Sequence, residues 1–140
     1  MRVQSLHEGF IMPTKGTDKA GAFDIYMPEA GRVCELFPTT VQLGFAAEVP
    51  DGHVALLLPR SSVGTRFGLE LLNTVGVIDS DYRGEWRAVL KTKCDIPYAW
   101  AKHERVLQFL IVPVAEVTLV LSADLDTTSR GIGGFGSSGK

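Results

Sequence analysis

Residues 73–85 carry the strongest structural signal in this sequence and read Asn73-Thr74-Val75-Gly76-Val77-Ile78-Asp79-Ser80-Asp81-Tyr82-Arg83-Gly84-Glu85. The first half is apolar and β-branched, the second half is a polar turn cluster, and apolar residues resume after it, which is the composition of a β-hairpin. Two carboxylates and a tyrosine crowd into the tip between Gly76 and Gly84, and glycine permits a tight turn or a close approach. The pattern predicts a rigid two-stranded hairpin with a ligand lying against its tip, although Asp and Gly are also ordinary turn residues.

Short apolar segments at regular spacing predict an all-β fold. In residues 31–58 such segments are separated by turn residues, and in Pro50-Asp51-Gly52 proline presets φ while glycine accepts the left-handed conformation. Strands spaced in this way favour an antiparallel sandwich or barrel. A last strand is expected at residues 116–121, and no long amphipathic helical pattern occurs anywhere.

One short helix is expected to begin at Ser61 and Ser62 and to run towards Arg66. Free backbone N–H groups and hydroxyls at such a helix start suit a phosphate, although serine is also an ordinary helix cap. Arg60 precedes the two serines and adds a positive charge that a cap does not need. Arg60, Ser61 and Ser62 are therefore candidate phosphate ligands.

Two polar residues interrupt otherwise apolar segments. Asp24 lies within Ala20-Gly21-Ala22-Phe23-Asp24-Ile25-Tyr26, and Gln108 lies within Arg105-Val106-Leu107-Gln108-Phe109. A buried carboxylate or amide requires a partner, which is either neighbouring protein or a ligand. A strand-end aspartate facing water is an equally good interpretation of Asp24 taken alone.

The C-terminal residues 130–140 have the composition of a flexible arm. Five of the ten residues from Arg130 to Gly139 are glycines, which usually indicates a mobile linker. Here Arg130 adds charge, Phe135 adds a flat face for a base, and Gly136, Ser137 and Ser138 add donors for phosphates. We therefore expect the arm to become ordered on a ligand. The sequence has no Gly-x-x-x-x-Gly-Lys-Ser/Thr loop, which excludes an ordinary P-loop.

Composition and charge narrow the class of partner. The chain has 140 residues, which suits a single domain that buries roughly 68–70% of its unfolded surface. Fourteen basic and sixteen acidic residues give a net charge of -2 without a dense basic block. A nucleic-acid polymer is therefore an unfavourable partner, whereas a single nucleotide is not excluded.

The cysteines, the histidines and the apolar runs give no sign of a disulfide framework, a metal cluster or a membrane span. Cys34 and Cys94 are far apart and are expected to be reduced core residues, and the three histidines lack metal-ligand spacing. The amino terminus lacks the apolar stretch of a secretory signal. The most apolar run, residues 106–121, is too short to span a membrane. We expect a soluble cytoplasmic protein.

Taken together, these segments resemble the five ordered motifs of the trimeric dUTPase family. The motifs span nearly the whole chain in family order, at residues 20–26, 59–64, 76–85, 105–108 and 130–139. The resemblance implies an antiparallel jelly-roll-like domain over residues 1–129 and an arm over residues 130–140 that closes over the active site. It also implies a homotrimer in which each arm reaches a neighbour's site.

The resemblance further implies the reaction, which is hydrolysis of dUTP to dUMP and pyrophosphate by attack of water on the α-phosphorus. Asp79 is then the base that activates water, and Asp24 holds the water shell of a Mg²⁺ ion. Phosphate contacts are expected from Arg60, Ser61, Ser62, Gln108, Arg130, Gly136, Ser137 and Ser138. Contacts to the base and sugar are expected from Asn73, Gly76, Val77, Ile78, Tyr82 and Phe135.

Two departures from the family pattern and two rival functions remain. Ser62-Val63-Gly64 stands where Gly-Leu-Ala is commoner, and His103-Glu104 stands where Gly-Asp usually precedes Arg105. One rival is dCTP deaminase, a related fold that also contains an Arg-Ser-Ser segment. The other is a non-catalytic nucleotide-binding protein on the same fold. Release of ammonia from dCTP, or of pyrophosphate from dUTP, separates them.

Overall fold

The computed structural model describes residues 1–93 and 97–134, which form short strands and one short helix. The strands are β1 Val3–Ser5, β2 Thr14–Lys15, β3 Phe23–Tyr26, β4 Gly31–Val33, β5 Thr39–Gln42, β6 Phe45–Ala47, β7 His53–Pro59, β8 Leu69–Leu71, β9 Gly76–Ile78, β10 Arg87–Thr92, β11 Tyr98–Trp100 and β12 Arg105–Pro113. The helix is α1, Ser61–Phe67, between β7 and β8.

The largest sheet has five antiparallel strands in the order β2-β3-β12-β7-β9. Its centre is β12, which pairs with β7 along seven residues, from Leu107 opposite Pro59 to Pro113 opposite His53. The other edge of β12 pairs with β3, with a register shift between Arg105 and Leu107. This pairing places Gln108 directly opposite Asp24.

The remaining strands form three smaller antiparallel sheets, with the orders β5-β10-β8, β1-β6 and β4-β11. In the described parts of the chain the strands therefore do not close into one barrel. The prediction of an all-β antiparallel fold with one short helix is confirmed, and the observed form is a set of packed sheets.

The predicted hairpin over residues 73–85 is wrong in its pairing. Strand β9 pairs with β7, whereas β10 pairs with β5 and β8, so residues 79–86 connect two different sheets. The chain reverses earlier, where Leu71 bridges to Thr74 and Thr74 has a φ of 67°. Because Gly76 has no side chain, β9 can approach β7 closely. A Cβ at this position would lie 3.0 Å from the Cβ of Leu57 on β7.

One apolar core receives side chains from all four sheets. Trp86, Phe45 and Phe109 are fully buried, and the Trp86 ring centroid lies 5.0 Å from that of Phe45 and 5.1 Å from that of Phe109. Burial of one such side chain contributes about 1.5–3 kcal/mol. In strand β10, Ala88, Leu90 and Thr92 are buried while the residues between them are not. One face of this strand therefore packs against the core.

Helix α1 begins where the sequence places it, but not for the expected reason. The N-cap residue is Arg60, which has extended backbone and no capping side-chain hydrogen bond. Ser61 and Ser62 lie in the first turn, and the Ser61 carbonyl accepts a hydrogen bond from the Thr65 hydroxyl (2.8 Å). The helix ends at Gly68, whose φ of 62° is left-handed. The serine cap is therefore a wrong prediction.

Residues 114–134 contain neither a helix nor a strand, and all of them except Gly133 are exposed. The strand predicted at residues 116–121 is therefore wrong. Its apolar side chains are largely in contact with solvent, including Leu119 (93% exposed) and Leu121 (101%).

The described helix is far shorter than a membrane crossing requires.

The prediction of reduced core cysteines can be compared with the structure at Cys34 but not at Cys94. Cys34 is free, as expected, but it is half-buried and not part of the core. Cys94 lies outside the described residues.

Candidate active site

Asp24 is a buried carboxylate held between two arginines. It lies in β3 and is only 6% exposed. Its Oδ1 accepts a hydrogen bond from Arg60 Nε (2.9 Å), and its Oδ2 accepts one from Arg105 Nη1 (3.2 Å). The partner that an acid in an apolar strand requires is therefore present twice.

Arg60 is fixed by more than this ion pair. Its Nη1 donates to the Arg105 carbonyl (3.2 Å), and its backbone N–H donates to the Val106 carbonyl (3.0 Å). A guanidinium has five N–H donors in one plane. Arg60 can therefore hold Asp24 and contact an anion at the same time.

Gln108 lies beside Asp24 and Arg60, because its strand β12 lies between β3, which contains Asp24, and β7, which ends just before Arg60. Its side chain is half-buried, and its Nε2 donates to the Pro59 carbonyl (3.2 Å). This bond satisfies part of the amide and fixes its orientation. The side-chain oxygen of an amide is an acceptor, and the second N–H is a further donor.

A cavity of about 300 Å³ brings these residues together. It is lined by Gly16, Ala20, Gly21, Ala22, Asp24, Arg60, Ser61 and Gln108. Four of the predicted site residues therefore share one concave surface, and small residues in the loop between β2 and β3 leave the space open. We refer to Asp24, Arg60, Arg105 and Gln108 as the arginine cluster.

The donor set of this cavity suits a metal ion that is held mostly by something other than protein. The part of the chain that the structure describes contains no group of three or more His, Cys, Asp or Glu side chains arranged to bind a metal. Mg²⁺ usually keeps several waters and binds through one or two carboxylates together with substrate phosphates. The single carboxylate of Asp24 at the cavity fits that mode.

Residues 79–85, here called the tip loop, connect β9 to Trp86 and lie mostly in solvent. Asp79 is exposed, and its carbonyl accepts a hydrogen bond from the Tyr82 N–H (3.2 Å). The Tyr82 hydroxyl donates to the Glu85 carbonyl (3.0 Å). A Cβ on Gly84 would lie 2.4 Å from the Tyr82 hydroxyl oxygen, so the tyrosine packs where only glycine leaves room. The loop therefore holds its tyrosine by its own contacts.

Strand β9 and the turn before it border a different cavity. This cavity measures about 290 Å³ and is mainly apolar, with Asn73 and Gly76 in its wall and Leu71, Ala88 and Val89 around them. Val77 is 57% exposed and Ile78 is half-buried. Since β9 is the last strand of its sheet, the backbone edge facing away from β7 is open to a ligand.

The two groups of predicted site residues lie far apart within one chain. Ile78 pairs with Ala55 near the start of β7, and Asp79 follows Ile78. Arg60 follows Pro59 at the other end of β7. Five residues of strand cover roughly 17 Å. One chain alone therefore does not bring Asp79 to the arginine cluster.

The predicted arm is only partly covered by the structure. Arg130 is exposed, and its Nε donates to the Gly133 carbonyl (3.1 Å). Phe135, Gly136, Ser137 and Ser138 lie outside the described residues. Their roles stay predictions.

The comparisons with known proteins agree with the five motifs. A family model described as dUTPase matches residues 8–139. The chain belongs to the dUTPase family. A deoxyuridine 5'-triphosphate nucleotidohydrolase of Anaeromyxobacter sp. is 38% identical over 129 residues, covering 92% of this chain and 88% of the relative. One from Nautilia profundicola is 33% identical and covers 100% and 99%.

Solved dUTPase structures share the fold. A mutant dUTPase of Staphylococcus bacteriophage 80alpha, with dUpNHpp, matches with a TM-score of 0.90. The match covers 99% of this chain and 98% of the phage chain at 23% sequence identity. This likeness shows that the packed sheets are the dUTPase fold.

Arg105 contacts Asp24 in the candidate site, although no role was predicted for it from the sequence. Arg105 begins the fourth motif, but its ion pair with Asp24 depends on β3 and β12 being neighbours. The available signal was its position at the start of a strand that also contains Gln108. A charge at that strand end indicates a site only when the pairing of the strand is known.

The dUTPase departure at His103-Glu104 has a structural explanation. His103 has a φ of 65°, a left-handed conformation that favours the commoner glycine. Its Nε2 lies 3.0 Å from the Gly9 carbonyl, a contact that glycine lacks. Glu104 accepts hydrogen bonds from the Tyr98 hydroxyl and the Ala101 N–H, both at 2.9 Å. These bonds fix the turn that leads into Arg105.

Proposed function

We propose that this dUTPase family member hydrolyses dUTP to dUMP and pyrophosphate by in-line attack of water on the α-phosphorus. The observation that supports it most is the arginine cluster, in which a buried carboxylate orders two guanidinium groups beside a cavity that Ser61 and Gln108 also line. Two curated relatives named as nucleotidohydrolases of deoxyuridine triphosphate match nearly the full chain.

The arginine cluster supplies what phosphoryl chemistry requires. A triphosphate carries several negative charges, so its cleavage needs fixed positive charge and donors that are aligned before the substrate arrives. Arg60 provides the charge, while the Ser61 hydroxyl and the Gln108 amide provide neutral donors. Because Asp24 and the Arg105 carbonyl hold Arg60 in place, little reorganisation is needed on binding.

Mg²⁺ is the proposed cofactor, and Asp24 is the residue that would hold it through water. When bound to the phosphates, the ion neutralises charge that develops in the transition state. Asp24 would orient the water shell while it continues to order both arginines. This proposal agrees with the lack of a protein metal cluster among the described residues.

The tip loop and β9 are the proposed site for the base, the sugar and the attacking water. Asp79 would take the proton from water, a contribution of typically 10²–10⁴ in rate for a positioned base. Backbone groups on the open edge of β9, at Val77 and Ile78, would pair with the uracil edge. A methyl at C5 would then meet main chain, which costs on the order of 1–3 kcal/mol.

Discrimination against ribose is proposed to come from Tyr82. Its ring is immobilised by Gly84 and the Glu85 carbonyl, so it can occupy the place of a 2′-hydroxyl without yielding. Asn73 would add a side-chain hydrogen bond to the base. Phe135 of the arm would stack on the base, a contact worth roughly 1–3 kcal/mol.

A homotrimer with shared sites is the proposed assembly. Asp79 and the arginine cluster stand roughly 17 Å apart along β7, so a complete site needs the tip loop of another copy. The exposed apolar side chains of residues 114–134 also favour packing on another copy. The arm, residues 130–140, would then close over a neighbouring site with Arg130, Gly136, Ser137 and Ser138 on the phosphates.

The decisive assay is release of pyrophosphate from dUTP, run beside UTP, dTTP and dCTP. We expect rapid release from dUTP alone. Release of ammonia from dCTP would instead identify a deaminase. Binding of dUTP without any pyrophosphate would identify a non-catalytic nucleotide-binding protein.

Mixing two inactive variants tests the shared site. Asp79→Asn removes the base, and Asp24→Asn disables the arginine cluster. After the two proteins exchange subunits, some sites combine an intact loop with an intact cluster, so we expect activity to reappear. Each variant remixed with itself is the control. Sedimentation should give about three times the chain mass of 15.2 kDa, and a monomer that hydrolyses dUTP would contradict the assembly.

A further inference from the structure

A second cavity, of about 360 Å³, lies beside helix α1 and separate from the one that contains Asp24. The residues of its wall that matter here are Arg60, Arg66, Tyr98, His103, Glu104 and Arg105. Arg66 comes from the last turn of the helix, and the others except Arg60 come from β11, β12 and the turn between them. Three arginines and a histidine therefore line one concave space.

The wall of this cavity has an excess of positive charge. Glu104 is its carboxylate, and both oxygens already accept hydrogen bonds, from the Tyr98 hydroxyl and the Ala101 N–H. Arg60 and Arg105 share the single charge of Asp24. Within the described residues no ion pair involves Arg66, whose guanidinium lies 5.6 Å from the centre of the Phe67 ring.

Tyr98 lines this cavity with an uncharged side chain. It is 6% exposed, and its ring centroid lies 4.7 Å from that of Phe67. Burial raises the pKa of Tyr98 well above its usual value, and the hydrogen bond to Glu104 raises that pKa further. The phenol therefore stays protonated at neutral pH and adds no negative charge. A small ligand with several negative charges suits such a space.

Arg60 connects this cavity to the proposed active site. Of the residues that the structure describes, it alone lines both cavities. Ser61 faces the first cavity, and Ser62 and Arg66, four residues apart on one side of the helix, face the second. An anion released beside Arg60 thus has a second set of guanidinium groups next to it.

We propose that the cavity bounded by Arg66, His103 and Arg105 is a binding site for pyrophosphate, which it receives past Arg60 after hydrolysis. The inference rests on the proposed function for the source of the anion. Two linked phosphates can engage Arg66 and Arg105 together, because guanidinium groups pair with phosphate oxygens through two parallel hydrogen bonds. No covalent step occurs in this cavity.

Calorimetric titration with pyrophosphate tests the site, using the full chain saturated with dUpNHpp so that the first cavity is filled. We expect the wild type to bind pyrophosphate and Arg66→Gln to bind it about tenfold more weakly, the loss of one charge-assisted contact. Arg32→Gln, an exposed arginine on β4, is the matched control and should bind like the wild type. Equal affinity in wild type and Arg66→Gln would overturn the proposal, as would equal weakening by Arg32→Gln.

Product inhibition provides the second readout. Pyrophosphate should give the wild type a non-competitive component of inhibition, and Arg66→Gln should raise the inhibition constant of that component about tenfold while kcat/KM for dUTP changes less than twofold. An unchanged inhibition constant would overturn the second site. If the wild type neither binds dUpNHpp nor hydrolyses dUTP, the proposed function fails. Pyrophosphate titration of the free protein and of Arg66→Gln then decides the second site separately.

Discussion

The arginine cluster and the tip loop are held in place in opposite ways. The cluster surrounds a carboxylate that is 6% exposed, and its charges are fixed by side chains from β3, β12 and the start of α1. The tip loop is mostly exposed and fixes Tyr82 through its own Gly84 and Glu85. Charges that must be ordered before a substrate binds thus depend on the core. The tip loop, which is proposed to reach another copy, does not depend on the core in this way.

The largest effect is expected when the loop loses Asp79. Asp79→Asn keeps the shape of an exposed side chain and removes the proposed base, so turnover should fall by at least about 100-fold. The melting temperature should stay unchanged, because nothing buried is altered. Pyrophosphate release and thermal unfolding measure the two quantities.

Asp81→Asn is the matched control for this change, since Asp81 is another exposed aspartate of the same loop. It should retain nearly full turnover. Equal losses in the two variants would assign the effect to loop charge and not to a base.

Asp24→Asn should damage activity and stability together. The change leaves two guanidinium groups without their shared counter-charge. Breaking a buried pair costs about 3–5 kcal/mol, but the arginine side chains are 30% and 42% exposed, so we expect about 1–2 kcal/mol. Denaturant unfolding of this variant and of Asp51→Asn, an exposed turn aspartate, measures the difference. An unchanged free energy of unfolding would mean that Asp24 does not order the cluster.

Gly84→Ala should weaken selectivity more than stability. The new Cβ would lie 2.4 Å from the Tyr82 hydroxyl oxygen, so the ring has to move. We expect the ratio of kcat/KM for dUTP over UTP to fall roughly tenfold, with less than about 1 kcal/mol lost in unfolding free energy. Tyr82→Phe keeps the ring and loses only the bond to Glu85, and its ratio should change less. Full selectivity in Gly84→Ala would argue against Tyr82 as the discriminating group.

Glu70→Gln is expected to give the smallest effect, because Glu70 lies on β8 and belongs to neither the arginine cluster nor the tip loop. Hydrogen bonds from Lys93, and then from Lys91, lower the pKa of Glu70, and ion pairs join the same groups at 2.7 and 3.1 Å. A lowered folded pKa means that the stabilisation is present above the usual carboxyl pKa of about 4.3 and is lost as pH falls through the folded value. The melting temperature of the variant should be about 1–3 °C below that of the wild type at pH 7 and should equal it near pH 2. A constant difference at all pH values would exclude the ion pairs as its cause.

The sequence identified the polar residues that line the candidate site better than it predicted the pairing of the strands. Asp24 and Gln108 were identified as polar residues in apolar strands, and β12 places them opposite each other. The partner of β9 could not be predicted, because it depends on how closely the Gly76 backbone approaches Leu57, a contact between residues distant in sequence. Arg105 lacked a role for the same reason.

The wrong strand at residues 116–121 has a related cause. Its composition favours extended backbone, but a strand also requires a neighbour with unpaired backbone groups. The described part of one chain offers none there, so Leu119 and Leu121 stay exposed. The serine cap failed because Arg60 already makes the last backbone bond before the helix, to the Val106 carbonyl.

Trp86 gives the protein an internal optical probe. Its indole contacts Phe45 and Phe109 in the core. Trp86 is also the residue that directly follows the tip loop. Trp100, the other tryptophan, is 5% exposed on β11. Intrinsic emission will therefore shift to the red on denaturation, and any change produced by nucleotide in the native protein reports on the residue that anchors the loop.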